Sequence, residues 1–319
     1  MENLQRRKER LFLIMKDWYV LFVGLMLLAG CSNKKAASGK EMETISSGQI
    51  HISVDESFKP VIDEQIKVFE AAYPDAKILA EFKTEADCLR DLQKDSTRMI
   101  IISRGLSEAE EDFYIKKLEY KPSYVKVATD AIAVVINSAN PDSVFTMAEL
   151  KDMLSGKSEK NYNVVVDGKG LTSTIRFLVD SVLKGQSLGK NVTAAKNSEE
   201  VINYIAATSN AIGFVGVSWV TLSQEKNKEL AKKVKMALVE CKNCDKDVYA
   251  KPSQQTILFK QYPLVRGLYY VLKENYAGVG SGFTNFLSLE RGQLIFSRAS
   301  LVPSLMQFNR RRSQIKESE

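Results

Sequence analysis

Val164-Val165-Val166-Asp167-Gly168-Lys169-Gly170-Leu171-Thr172-Ser173-Thr174-Ile175-Arg176-Phe177-Leu178 reads as strand, loop and helix start in immediate succession. Three consecutive β-branched residues suit a buried strand, two glycines punctuate the loop, and Ile175, Leu178, Val179 and Val182 recur at helical spacing. The hydroxyl residues Thr172, Ser173 and Thr174 fall where the helix should begin. There, side chains and the unpaired N–H groups of the first turn can converge on one anion, although the same residues also serve as ordinary helix caps. The glycines do not match the dinucleotide fingerprint, and Gly168-Lys169-Gly170 lacks the Lys-Ser/Thr ending of a P-loop, so nucleotide binding is not expected.

Working outward, residues 50–54 alternate apolar and polar as a strand, with His51, the one histidine, on the polar phase. A lone outward histidine is a surface residue rather than a catalyst. Asp55-Glu56-Ser57-Phe58-Lys59-Pro60 then leads into a helical pattern through Val61, Ile62, Ile66, Phe69 and Ala72. Ser57 and Phe58 therefore sit just before a helix, as Thr172 to Thr174 do. Residues 77–82 read as a strand, 86–92 as a helix, and 98–102 as a third strand that ends in Ser103-Arg104-Gly105. A guanidinium at a strand's carboxyl end is well placed to fork onto an oxyanion. Residues 106–114 begin a helix capped by Ser107, and the long β-rich run 124–137 predicts a crossover between two lobes. A short helix over 147–154, a strand over 191–195, a helix over 198–207 and a strand over 211–217 follow. Residues 226–235 form a charge-rich solvated face, and a strand over 268–272 precedes a final helical pair. Strand and helix alternate throughout, so the fold class is α/β.

A chain of 319 residues, 45% hydrophobic and 26% charged, is globular and long enough for two lobes. No basic stripe interleaved with aromatics appears, so nucleic-acid binding is not expected. The apolar run 19–30 is short for a membrane span and ends in Leu28-Ala29-Gly30-Cys31, which resembles a bacterial lipobox. That resemblance implies a lipoprotein signal peptide over 1–30 and a lipid on Cys31, with Met15 opening a signal of more usual length. Removing residues 1–30 lowers the net charge from +6 to +4, a mildly basic balance that suits an anionic ligand. The small, polar stretch after Cys31 suits a flexible tether over 31–47. In an exported protein Cys241 and Cys244 are expected to form a local disulfide of minor energetic weight, leaving Cys88 as a buried thiol. A zinc site would need two further ligands, so no metal and no cofactor are expected.

Further landmarks are residues 127–137 (VATDAIAVVIN), Phe145-Thr146 with 150–157 (LKDMLSGK), 211–217 (AIGFVGV), 262–270 (YPLVRGLYY) and 286–303 (FLSLERGQLIFSRASLVP). In order and spacing they resemble the periplasmic phosphate-binding proteins of ABC importers across residues 48–304. The resemblance implies a type II periplasmic-binding-protein fold, two α/β lobes with a central cleft and a double crossover. Residues 48–128 and 256–304 would form one lobe, 129–255 the other, and 305–319 a basic tail.

In that family the ligand rests on hydroxyls and helix N-termini. Ser57 with the N–H of Phe58 resembles the first such turn, Ser103 with Arg104 the second, and Thr172-Ser173-Thr174 the third. Two departures stand out. The arginine that normally precedes the third turn is missing, which leaves Arg104 or Arg176 to supply charge, and a glycine- and serine-rich loop is replaced by Thr84-Glu85-Ala86-Asp87. A carboxylate is also required, because only an acceptor can use the proton of HPO₄²⁻ and reject sulfate. Asp55 is the first candidate, with Asp130 and Asp167 behind it. The resemblance implies a monomeric, lipid-anchored substrate-binding protein at the periplasmic face of a bacterial membrane, delivering phosphate or a related oxyanion to an ABC permease. The alternative is a sensor or storage protein for a different oxyanion. An enzyme is not expected, since neither a metal cluster nor a nucleophile, histidine and acid set appears.

Overall fold

Ile50, Ile52 and Val54 send alternate side chains into one core, while on the opposite face of this strand His51 is exposed and Ser53 and Asp55 are buried. A computed structural model describes residues 43–168 and 170–305; Met15, Cys31, the expected signal segment and nearly all of the expected tail lie outside the described residues.

The first half of the chain runs β1 (Gly48–Asp55), a 3₁₀ turn (Glu56–Phe58), α1 (Lys59–Ala72), β2 (Ala76–Lys83), α2 (Glu85–Leu92), β3 (Met99–Ile102), α3 (Glu108–Leu118) and β4 (Ser123–Asn137). The second half follows with β5 (Val144–Phe145), α4 (Met147–Ser155), β6 (Asn163–Val166), α5 (Ser173–Phe177) extended by a π turn (Leu178–Val182), β7 (Val192–Ala194), α6 (Ser198–Ala207), β8 (Ala211–Gly216) and α7 (Val217–Lys226). It closes with α8 (Lys228–Lys233), β9 (Val234–Met236), β10 (Leu238–Glu240), β11 (Tyr249–Ala250) and α9 (Gln254–Leu258). The chain then returns through β12 (Val265–Leu272), α10 (Val279–Ser288), α11 (Glu290–Arg298) and β13 (Val302–Pro303).

β4 belongs to both halves. Its residues up to Ala131 pair antiparallel with β12, and Ile132 to Ile136 pair antiparallel with β8. The strand order β2-β1-β3-β12-β4-β8-β6-β7 is thus one curled sheet, bent where β4 changes partners. β1 is parallel to β2 and β3, and β6 is parallel to β7 and β8. Parallel pairing sends the carboxyl ends of β1, β3 and β6, with the turns that follow them, toward the crevice between the halves, the position that open α/β sheets use for ligands. Each half has its own core: Phe58, Phe69, Phe283 and Phe296 anchor the first, Phe145, Phe214 and Tyr262 the second.

Local signals explain the element ends. Ser107 and Glu110 form a capping box at α3, Thr146 and Glu149 another at α4, and Gly156 closes α4 at φ 77°. Cys88 is a buried free thiol, and Cys241 is joined to Cys244 with the Cα atoms 5.6 Å apart. Among the described residues no helix is long and apolar enough to cross a membrane.

Candidate functional site

Asp55 ends β1 and caps the 3₁₀ turn: the Ser57 N–H donates to its Oδ1 at 2.9 Å. Its other oxygen accepts from the Ser173 N–H of the opposite half at 3.0 Å. One carboxylate therefore takes a first-turn N–H from each half. Asp55 is fully buried, and this desolvation together with the nearby Glu85 charge pushes its carboxyl up to about 6, against the pull of Arg266 and of its hydrogen bonds.

Asp167, at the end of β6, collects hydroxyls. Its Oδ2 accepts from Ser57 at 3.1 Å, Thr174 at 2.9 Å and Ser198 at 3.1 Å, and its Oδ1 from Thr172 at 2.9 Å. Thr172 also caps α5, its hydroxyl oxygen accepting from the Ile175 N–H. Gly168 makes this return possible at φ 77°, where a Cβ would stand 2.6 Å from the Thr172 methyl.

The charge on this cluster comes from Arg266, on β12. It is 6% exposed, lies over the Phe58 ring at 4.7 Å, and donates through Nη1 to Ser173 Oγ at 2.8 Å and Thr174 Oγ1 at 3.0 Å. Its Nε donates to Asp130 Oδ2 at 2.8 Å across the β4–β12 ladder, where the two residues are paired. Nη2 is also 2.8 Å from Asp130 Oδ2 but lacks hydrogen-bond geometry, so a buried guanidinium nitrogen keeps its donors free. Burial raises the Asp130 carboxyl, with Arg266 opposing; burial disfavours the charge on Arg266, yet the carboxylates of Asp130, Asp55 and Asp167 outweigh it and raise its pKa.

The second turn is bridged as well. Glu85 Oε1 accepts from the Ser103 N–H at 2.9 Å and its hydroxyl at 2.7 Å. Arg176, from the other half, donates to Glu85 Oε2 at 2.5 Å and to Ser103 Oγ at 2.6 Å. Burial opposes the charge on Glu85, but Arg176 and Ser103 prevail and hold its carboxyl below the usual range. Finally, Glu56 Oε1 accepts from the Ser198 N–H at the start of α6 at 3.1 Å, and its Oε2 lies 3.0 Å from the Ser198 hydroxyl that also approaches Asp167.

The structure thus brings together Asp55, Ser57, Phe58, Thr172, Ser173 and Thr174, with Asp130 and Asp167, and ties Ser103 to the same crevice through Arg176. It does not bring Arg104 there. Arg104, expected to share one anion with the Thr172–Thr174 turn, instead forks onto Glu110 at 2.7 and 2.8 Å and donates to the Gly105 carbonyl. The reason is local, because Glu110 is the third residue of α3, fixed by the capping box and only six positions away in sequence. Sequence reasoning missed Arg266, Glu56 and Ser198. A signal existed for Arg266: it is the one charge in an apolar strand, Asp130 is the one acid of the run 124–137, and each needs the other once buried. Nothing local marks Glu56 or Ser198, which meet only through the fold.

Five carboxylates (Asp55, Glu56, Glu85, Asp130, Asp167) face two guanidiniums (Arg176, Arg266) in this crevice, and the N–H groups of Ser57, Ser103 and Ser173 and the hydroxyls of Ser57, Ser103, Thr172 and Thr174 are each bonded to an acid of the same chain. Among the described residues no group of three or more His, Cys, Asp or Glu is arranged to hold a metal. The arrangement can bind, orient and share protons with an oxyanion through hydroxyls, N–H groups and one buried guanidinium.

The family described as a PBP superfamily domain matches residues 39–290. The phosphate-binding protein PstS of Pseudomonas aeruginosa is 24% identical over 259 residues, covering 74% of this chain and 76% of its own. A Clostridium perfringens protein solved with bound phosphate superposes with a TM-score of 0.66 at 22% identity, over 80% of this chain and 99% of the other. An ABC-type phosphate transport receptor from Vibrio cholerae gives 0.59 at 18% identity, over 80% and 100%. These likenesses agree with the curled α/β sheet and two-lobed crevice described above, which is the type II periplasmic-binding-protein fold. The chain belongs to the PBP superfamily, and phosphate-binding proteins of ABC transporters are among its relatives there.

Proposed function

We propose that the protein is the substrate-binding component of an ABC importer, that it captures inorganic phosphate, and that it is held at the cell envelope by a lipid on Cys31. One observation carries the reading: Ser57 from the first half and Ser173, Thr174 and Ser198 from the second converge with the Arg266 guanidinium in one buried crevice. On this reading residues 48–128 and 256–304 form one lobe and 129–255 the other, the protein acts as a monomer, and its partner is a permease. Arg266 supplies the charge that the missing loop arginine supplies elsewhere, and its free Nη2 donors await an oxygen. Ser57, Ser173, Thr174 and the N–H groups of Ser57, Phe58 and Ser173 are the neutral donors, while Asp55 or Asp167 accepts the ligand proton.

Calorimetric titration with phosphate, sulfate, molybdate and pyrophosphate is the test. Phosphate should bind and sulfate should not compete; equal competition would remove the assigned role of the carboxylates. Replacing Cys31 by Ala should release the protein from the membrane fraction or leave an unprocessed precursor, and unchanged attachment would end the lipid assignment.

A second reading has its own support. Because Asp55, Asp167 and Glu85 already hold the turn donors, a non-transport sensor or store for another oxyanion fits the same crevice. Saturable binding of molybdate or pyrophosphate with none of phosphate would favour it.

A further inference from the structure

Ser198 stands between two acids. Its hydroxyl is 3.0 Å from Glu56 Oε2 and 3.1 Å from Asp167 Oδ2, yet a hydroxyl has one hydrogen and can donate to only one of them at a time. Both contacts become hydrogen bonds when one carboxyl carries a proton: the Glu56 O–H donates to Ser198 Oγ, and the Ser198 O–H donates to Asp167. With both acids ionised, one contact becomes an oxygen–oxygen approach without a hydrogen, and two carboxylates face each other across a single side chain. Glu56 lies in the 3₁₀ turn after β1, whereas Ser198 opens α6 and Asp167 ends β6, so this three-residue chain spans the crevice.

We propose that Glu56 is a proton-bearing latch between the two lobes, and that capture of inorganic phosphate in the crevice takes up a proton at this residue. The inference rests on the phosphate reading above and adds a residue and a condition to it. The surroundings of Glu56 agree. Asp55 is its neighbour in the same turn and Asp167 faces it from β6; α6 contributes Ser198 and the exposed Glu199 and Glu200. α1 begins with Lys59, which is paired with Asp63. β8 has no ionisable side chain, and α7 has none before Glu225. Arg266, the cation of the cluster, is bonded to Asp130, Ser173 and Thr174 instead. Desolvation first, and the Asp167 charge second, push the Glu56 carboxyl up to about 7 despite the two bonds from Ser198. A phosphate anion entering beside Glu56, Asp55 and Asp167 raises the cost of ionising Glu56 further, so the bound state holds the proton more tightly than the free state.

The test compares the full chain with Glu56→Gln, whose amide keeps a neutral group in the latch at every pH. Phosphate titrations in two buffers of different ionisation enthalpy read the protons taken up. Above pH 7 the wild type should take up close to one proton more per phosphate than the variant, and its affinity should fall about tenfold more per pH unit. Equal proton uptake and parallel pH profiles, with phosphate bound by both, overturn the latch and leave the phosphate reading standing. If phosphate binds neither protein, the proton uptake falls with the phosphate reading, and small-angle scattering without ligand tests the latch alone. The radius of gyration should rise between about pH 6 and 8.5 in the wild type and stay constant in Glu56→Gln. A radius independent of pH in the wild type overturns the latch.

Discussion

Two arginines that look alike in sequence differ sharply in what surrounds them. Arg266 is buried against Asp130 and donates to Ser173 and Thr174, whereas Arg104 is about a third exposed and forks onto Glu110. Arg266→Ala leaves Asp130 as an unpaired buried charge, so we expect a loss of about 3–5 kcal/mol in unfolding free energy by denaturant titration. Arg266→Lys should fold better than Arg266→Ala and still bind phosphate weakly, because an ammonium has three donors, and Asp130 with the two hydroxyls would use all of them. Arg104→Ala should cost under about 1 kcal/mol and leave phosphate affinity within a few-fold of wild type. A large loss of binding in Arg104→Ala would return that residue to the site. The raised carboxyls of Asp55 and Glu56 also give stability a pH dependence. Carboxyls in the unfolded chain titrate near 4. Between there and the folded values of about 6 and about 7, the folded protein holds protons that the unfolded chain has released. Stability therefore falls as pH rises through this window. Glu85, and Glu110 at about 2, act in the opposite sense and withdraw stabilisation as pH falls through their lowered values. Thermal unfolding should show a higher midpoint at pH 5.5 than at pH 8, and the reverse order would refute the assigned shifts.

At the level of elements, most of the fold was legible. The run 124–137, read as a crossover, is one strand shared by both halves, and the hydroxyl turns before α1 and α5 lie where period and capping put them. Burial periodicity and helix caps are local, so they leave marks a few residues long. The site was less legible because its decisive contacts join residues far apart: Ser57 meets Asp167 and Thr174, Arg266 meets Ser173, and Glu56 meets Ser198. Arg104 was favoured for its place at a strand end, and a capping glutamate six residues later decided otherwise. One element junction makes a separate prediction. Gly216 ends β8 where a Cβ would stand 2.9 Å from the Ser57 carbonyl oxygen and 3.1 Å from Arg266 Nη2. Backbone on one side cannot yield as a flexible side chain would. Gly216→Ala should fold with a loss of about 1–3 kcal/mol, the usual range for overpacking, and should weaken phosphate binding by at least tenfold. Unaltered affinity would mean that the halves need not approach so closely at this point.

For the whole molecule, the crevice residues come from both sides of the β4 crossover, so on the phosphate reading proposed above capture should draw the two halves together. Saturating phosphate should lower the radius of gyration in small-angle scattering, most clearly at pH 8, where ionised carboxylates oppose closure. Identical curves with and without phosphate at that pH would count against a hinged cleft. The carboxylates that hold the turn donors have a consequence for sensitivity. On the phosphate reading, Asp55 on the N–H groups of Ser57 and Ser173 is a tethered competitor: it occupies two of the donors assigned to a phosphate oxygen, and it cannot diffuse away. The apparent dissociation constant would then be the intrinsic one divided by the fraction of molecules in which the competitor has let go, so a form only about 1% released would bind about 100-fold more weakly than its donors allow. Substitutions that touch no ligand atom, but loosen or tighten those self-made bonds, would move the working concentration of the receptor up or down while leaving its choice of ligand unchanged.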